Sequence, residues 1–276
     1  MPPATGPAGQ GARGGRQGAK ASEERPRGAA GPSAAARCLG VDVAALGILL
    51  ALAFLPPLAF ALWVRNHEKS GREPLRTVFG MFVYGGTLGV IIALVFILAL
   101  DYSIGIEPGG LTLLSLVVIA PLFEELAKGM GLGLVRRRIG EIEDGIVYGA
   151  AVGLGFAATE NLLYGLEALR SSGLEHAAVT IGFRVVSSVL LHAGSTALLG
   201  YGYALMRLRG RGLVFLLPYY LLAVLQHALY NYLVGGQLLW SFVAAVAMVL
   251  VVTGLLRRQI RRLDAQPRDS WVAVGR

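Results

Sequence analysis

The sequence predicts an all-α fold, a polytopic membrane helix bundle of about seven transmembrane helices. Three observations predict it. Of 276 residues, 55% are hydrophobic, and mean hydropathy is +0.61. Only 15% are charged, against about 25% in an ordinary soluble domain. The apolar residues gather into seven stretches, 41–64, 78–100, 111–135, 145–168, 179–206, 213–234 and 238–256. Each is long enough to cross a hydrocarbon core of about 30 Å at about 1.5 Å per residue. Backbone polar groups in lipid must satisfy one another within the segment, so the stretches are helices.

Charge divides the chain into three parts. Residues 1–40 carry six Lys/Arg and two Glu, and residues 257–276 carry six Arg and two Asp. These tails account for the whole net charge of +8, so the transmembrane domain, 41–256, is neutral. The N-terminal tail is rich in Gly, Ala, Pro and Arg and has too few large apolar side chains to bury a core, which predicts disorder. It lacks a signal-peptide pattern. Basic and aromatic residues do not interleave on any surface, so no nucleic-acid partner is expected. Anionic lipid headgroups suit the tails better. The single cysteine, Cys38, excludes an intrachain disulfide framework and a cysteine-ligated zinc site.

The first span contains Pro56-Pro57, where a kink is expected. Orientation follows from Lys/Arg in the short loops. Loop 65–77 holds Arg65, Lys69, Arg72 and Arg76; loop 136–144 holds Arg136, Arg137 and Arg138; loop 207–212 holds Arg207, Arg209 and Arg211. Loops 101–110 and 235–237 have no Lys or Arg, and 169–178 has only Arg170. The basic set is therefore cytoplasmic, as is the C-terminus. Seven crossings place the N-terminus outside, although its basic tail runs against that. Gly145, Gly149 and Gly153 form a four-residue stripe on the fourth span, and Gly129 and Gly133 repeat the spacing on the third. Such stripes let helix backbones touch.

A charge at a helix centre costs roughly 2.5–3.5 kcal/mol on insertion scales, so buried ionisable groups face the bundle interior and mark function. Glu124, Glu125 and Lys128 lie on the third span, Glu160 and Asn161 on the fourth, Arg184 and His192 on the fifth, and His227 and Asn231 on the sixth. Measured from the cytoplasmic end of each helix, Glu125, Glu160, His192 and His227 all fall about 15–22 Å deep. Four antiparallel helices thus bring them to one level. Lys128 is four residues from Glu124 and reads as its counter-charge. Asn161 reads as a supporting donor, Arg184 as an interfacial side chain, Asp144 as a helix-start acid and Tyr148 as an interface anchor.

Two or three carboxylates with two histidines suit water activation. The chain has no HExxH and no GxSxG. Ser187, Ser188, Ser195 and Thr196 lie near His192, but such hydroxyls mostly bond backbone. Glu160, His192 and His227 can supply a zinc set with one open position, leaving Glu124 or Glu125 as general base. Without metal, a carboxylate can activate water directly while His227 and Asn231 stabilise an oxyanion.

The segments "EELAK" (124–128), "GFAATENLLYG" (155–165), "HAGSTALLG" (192–200) and "HALYN" (227–231), with the loop "EKSGREPLRTVFG", occur in order. Together they resemble the signature segments of the PrsW family of intramembrane proteases. That family is similar to the CAAX prenyl endopeptidases and bacteriocin-processing proteases, which carry a histidine where this chain has Glu160. The resemblance implies an intramembrane endopeptidase of a bacterial plasma membrane, cutting membrane-anchored substrates such as anti-sigma factors. It leaves metal-assisted and metal-free glutamate mechanisms both open. The competing class is an ion- or proton-coupled transporter or channel using the same midplane groups; no internal repeat pairs two halves of the chain. A catalytically silent scaffold is the third.

Overall fold

The computed structural model describes residues 42–67, 71–105, 113–235 and 243–248, with helical positions 250, 251, 254 and 258. The expected disordered tail at 1–40 and basic tail at 257–276 lie outside the described residues, apart from position 258. So does most of the seventh span.

The described residues are helical with no strand. In chain order they form α1 (Val43–Asn66), α2 (Leu75–Ser103), α3 (Ala120–Leu132, entered through a π-helical turn at Ser115–Ile119), α4 (Ile142–Ser172), α5 (Leu174–Leu208) and α6 (Leu213–Gly235). A further helical stretch runs over 243–248. α1, α2, α4, α5 and α6 are long and apolar enough to cross a membrane. α3 is the helix that carries Glu124, Glu125 and Lys128.

α1 continues through Pro56 and Pro57 without a break. Each proline removes one backbone donor, but the turns on either side hold, and α1 runs as one continuous helix of 24 residues. The expected 169–178 loop shrinks to one residue. Gly173 takes φ 86°, a left-handed conformation that glycine adopts without Cβ cost, so α4 ends and α5 begins almost at once.

α4 is the centre of the bundle. Every residue from 144 to 158 is buried. Gly145, Gly149 and Gly153 lie directly against the carbonyls of Gly200, Thr196 and His192 on α5, where any Cβ would overlap backbone. Gly155 lies likewise against the Phe82 carbonyl of α2. These close approaches bear out the packing reading of the stripe. In the second pair, Gly129 packs on Leu199, but Gly133 has nothing within 4 Å.

The loop before α2 folds over the start of α4. Asp144 accepts hydrogen bonds from the Gly140 and Glu141 N–H groups at 2.7 and 2.8 Å, completing a capping box. Tyr148 is fully buried and its hydroxyl donates to the Glu73 carboxylate. Its expected place as an interface anchor is thus corrected. Arg65 Nε holds the loop by donating to the Glu73 carbonyl at 2.6 Å.

Candidate active site

Four helices bring their ionisable residues to one place, as the depth argument expected. α3 supplies Glu124, Glu125 and Lys128; α4 supplies Glu160; α5 supplies His192; α6 supplies His227. The glycine stripe is the local reason on the α4–α5 side: Gly153 lets α4 approach the backbone of His192 itself.

Glu125 is the hub. Its Oε1 accepts from Lys128 Nζ at 2.8 Å, from His227 Nδ1 at 2.9 Å and from Ser195 Oγ at 3.1 Å. Glu125 and Lys128 are both 0% exposed. Two opposite charges sealed together hold their place, because an unpaired buried charge is costly. Lys128 Nζ also reaches His192 Nδ1 at 2.8 Å and lies 4.2 Å from the Phe156 ring centroid. Lys128 is therefore the partner of Glu125 first. Its distance to Glu124 is 3.7 Å.

These contacts set the histidine tautomers. An ammonium only donates, so His192 Nδ1 accepts from Lys128 and Nε2 carries the proton. That Nε2 lies 2.7 Å from Glu160 Oε2. A carboxylate only accepts, so His227 Nδ1 carries a proton toward Glu125. In the neutral ring His227 Nε2 keeps a lone pair, and it faces Glu124 Oε2 across 3.7 Å. Glu124 Oε2 is buried and has no hydrogen-bond donor. Two electron-pair donors thus oppose each other at a spacing that suits a shared cation or a bridging water.

Glu124, His192 and His227 each offer a ligand atom, and these atoms lie within 4.8 Å of one another. Two imidazoles and a carboxylate are a zinc-type donor set. The Glu124 oxygen and the His227 Nε2 lone pair fit such an ion as they stand, whereas His192 can join them through Nδ1 only once Lys128 releases it. The carboxylate in this group is Glu124, not the expected Glu160. Glu160 Oε2 is already engaged, lying 2.7 Å from His192 Nε2 and 3.0 Å from Arg184 Nη2.

Arg184 is the residue that sequence reasoning misplaced. It donates from Nε to Asn161 Oδ1 at 2.8 Å and from Nη2 to Ser188 Oγ at 3.1 Å, and stacks 3.9 Å from the Tyr164 ring centroid. Asn161, fully buried, serves Arg184 as an acceptor rather than a donor. The signal was present: Arg184, Ser188 and His192 follow at four-residue intervals and so share one face of α5. Asn231 is not drawn into the cluster. Its Nδ2 donates to the Leu116 carbonyl at 2.9 Å and ties α6 to the π-helical turn before α3.

A polytopic helical bundle with carboxylates and imidazoles buried together fits the class of intramembrane proteases. The particular family follows from comparison. Residues 73–255 match the PrsW family intramembrane metalloprotease, and the chain belongs to that family. It is 28% identical to Protease PrsW of Clostridioides difficile (strain 630) over 211 residues, covering 74% of this chain and 86% of that protein. It is 29% identical to Protease PrsW of Geobacillus kaustophilus (strain HTA426) over 220 residues, covering 76% and 90%. Protease PrsW of Oceanobacillus iheyensis is 28% identical over 214 residues, covering 74% and 90%. No solved structure matches.

Proposed function

We propose that this intramembrane protease hydrolyses peptide bonds of membrane-anchored protein substrates with water held at Glu124. The observation that carries the reading is the facing pair, Glu124 Oε2 and His227 Nε2, 3.7 Å apart. Glu124 is also 12% exposed, whereas Glu125 is sealed at 0%. Glu124 is therefore the more accessible of the two acids, although its Oε2 is itself buried.

Each residue then has a task. Glu124 orients the water and accepts its proton. Glu125 fixes the His227 ring and leaves Nε2 free. Lys128 balances the adjacent acids. Glu160, anchored by Arg184, fixes the His192 ring. Ser195 donates to Glu125 and is not a nucleophile. Glu124 and His227 would hold a zinc ion, with His192 joining through Nδ1 once Lys128 moves off it; such an ion would supply a water acidic enough to attack near neutral pH.

The substrate reading, an anti-sigma-factor-like protein with a single membrane anchor, rests on family resemblance. The Lys/Arg distribution supports a cytoplasmic C-terminus in a bacterial plasma membrane, with anionic lipids on the basic tails. The transporter reading is disfavoured by family membership.

The test uses purified protein and a membrane-anchored reporter. Glu124→Gln abolishes cleavage while the fold is retained; normal cleavage by this variant overturns the assignment. Elemental analysis beside His227→Ala decides the metal. One zinc per chain, lost in the variant, supports the metal-assisted form. Full activity without bound metal leaves Glu124 to act alone.

A further inference from the structure

One charged patch lies outside the catalytic cluster. α3 ends in a 3-10 turn, Gly133–Val135, and the chain then presents Arg136, Arg137 and Arg138. With Gly133 and Leu134 they line a hollow of about 610 Å³. All three arginines are exposed, and none has a carboxylate within 4.0 Å among the described residues. Arg138 is near enough to Glu73 to feel its charge.

The apolar surface leading to this hollow is also unpartnered. Leu126, Met130 and Leu134 are exposed and recur every fourth residue. They form one exposed apolar stripe that runs from α3 into the turn after it. The opposite face of the same helix buries Glu125 and Lys128. α3 therefore shows an apolar track about 12 Å long running into a cluster of guanidinium groups.

We infer that this corner is a binding site for one anionic phospholipid. The headgroup phosphate lies in the hollow among Arg136, Arg137 and Arg138, and an acyl chain lies along Leu134, Met130 and Leu126. The charge argues for an anion, since guanidinium groups engage phosphate oxygens in pairs. The adjoining stripe argues for a lipid over a free ion. Occupancy would brace the helix that carries Glu124 and Glu125, because the site is the C-terminal end of that helix.

The test is lipid retention by the full chain in detergent micelles, read by native mass spectrometry, with phosphatidylglycerol and phosphatidylcholine as probes. Wild type retains phosphatidylglycerol and not phosphatidylcholine. R136Q/R137Q binds it more weakly, by about fivefold per arginine removed. The tail variant R257Q/R258Q serves as control and retains the lipid like wild type. R136K/R137K, which keeps the charge that sets topology, also binds more weakly because the paired donors are lost. Wild-type retention by R136K/R137K and R136Q/R137Q, or loss in the tail variant alone, overturns the site. Inorganic phosphate competing away the lipid at equal concentration would assign the hollow to a free anion and overturn the lipid reading.

Discussion

Lys128 Nζ lies 2.8 Å from His192 Nδ1, an ammonium set against an imidazole lone pair. The same nitrogen lies 2.8 Å from Glu125 Oε1. Lys128 thus joins an acid of α3 to a histidine of α5 at a point that water does not reach. Lys128→Met removes the only ammonium from this sealed group and leaves buried Glu125 with its His227 and Ser195 contacts but without its ion-pair partner. The expected cost is about 3–5 kcal/mol, read as a large fall in the detergent melting temperature. Lys128→Met with Glu125→Leu removes both charges and recovers much of that stability. An unchanged melting temperature in the single variant would show that the pair does not hold the site.

Arg184 anchors Glu160 and Asn161 without touching the Glu124–His227 gap. Its loss frees Glu160 and, through it, the His192 ring. Arg184→Gln is expected to lower cleavage of a membrane-anchored reporter by about 10–100-fold, the usual scale for partners that orient a site's ligands. Arg184→Lys keeps the charge but not the fork, and falls between. Equal activity in all three proteins would return Arg184 to a surface role.

Two glycines on neighbouring helices are expected to respond in opposite ways. A Cβ at Gly153 would overlap the His192 carbonyl, whereas Gly133 has open space around it. Gly153→Ala should cost about 1–3 kcal/mol, the range for overpacking, and should displace His192. Gly133→Ala should be neutral or slightly stabilising. Thermal unfolding of the two variants beside wild type checks both.

Glu73 sits outside the spans, in the loop before α2. Burial holds its carboxyl above the ordinary value of 4.5; Tyr148 works against this, and Asp144 adds to it. The folded protein then keeps a proton that the unfolded chain has already released. The contribution of Glu73 to stability is therefore full below pH 4.5 and is lost as pH rises through the raised folded value. Glu73→Gln should flatten the melting temperature over that window. A slope identical to wild type would place the titration elsewhere.

Much of this arrangement is legible in the sequence because depth along a helix is a linear quantity. Counting 1.5 Å per residue puts Glu125, Glu160, His192 and His227 on one level, and they meet there. Pairing at that level depends on the rotation of each helix, which no count along one chain supplies. Hence Glu160 is expected among the metal donors, whereas in the structure it lies 3.0 Å from Arg184 and the carboxylate grouped with His192 and His227 is Glu124. Tyr148 fails for another reason. Its position near a helix start suggests an interface, but a loop folds back over it, and the Glu73 contact joins residues 75 positions apart.

The π-helical turn at Ser115–Ile119 precedes all three charged residues of α3. Such a turn carries one residue more than an α-turn would. That surplus makes the helix unequally tolerant of shortening. Removing one residue inside 115–119 can close the wide turn into an ordinary one and leave Glu124 and Glu125 facing the cluster. Removing one residue from the α-helix after it swings the acids by about 100° toward lipid. Deletions a few positions apart should therefore divide into silent and inactivating, with the boundary near Ile119.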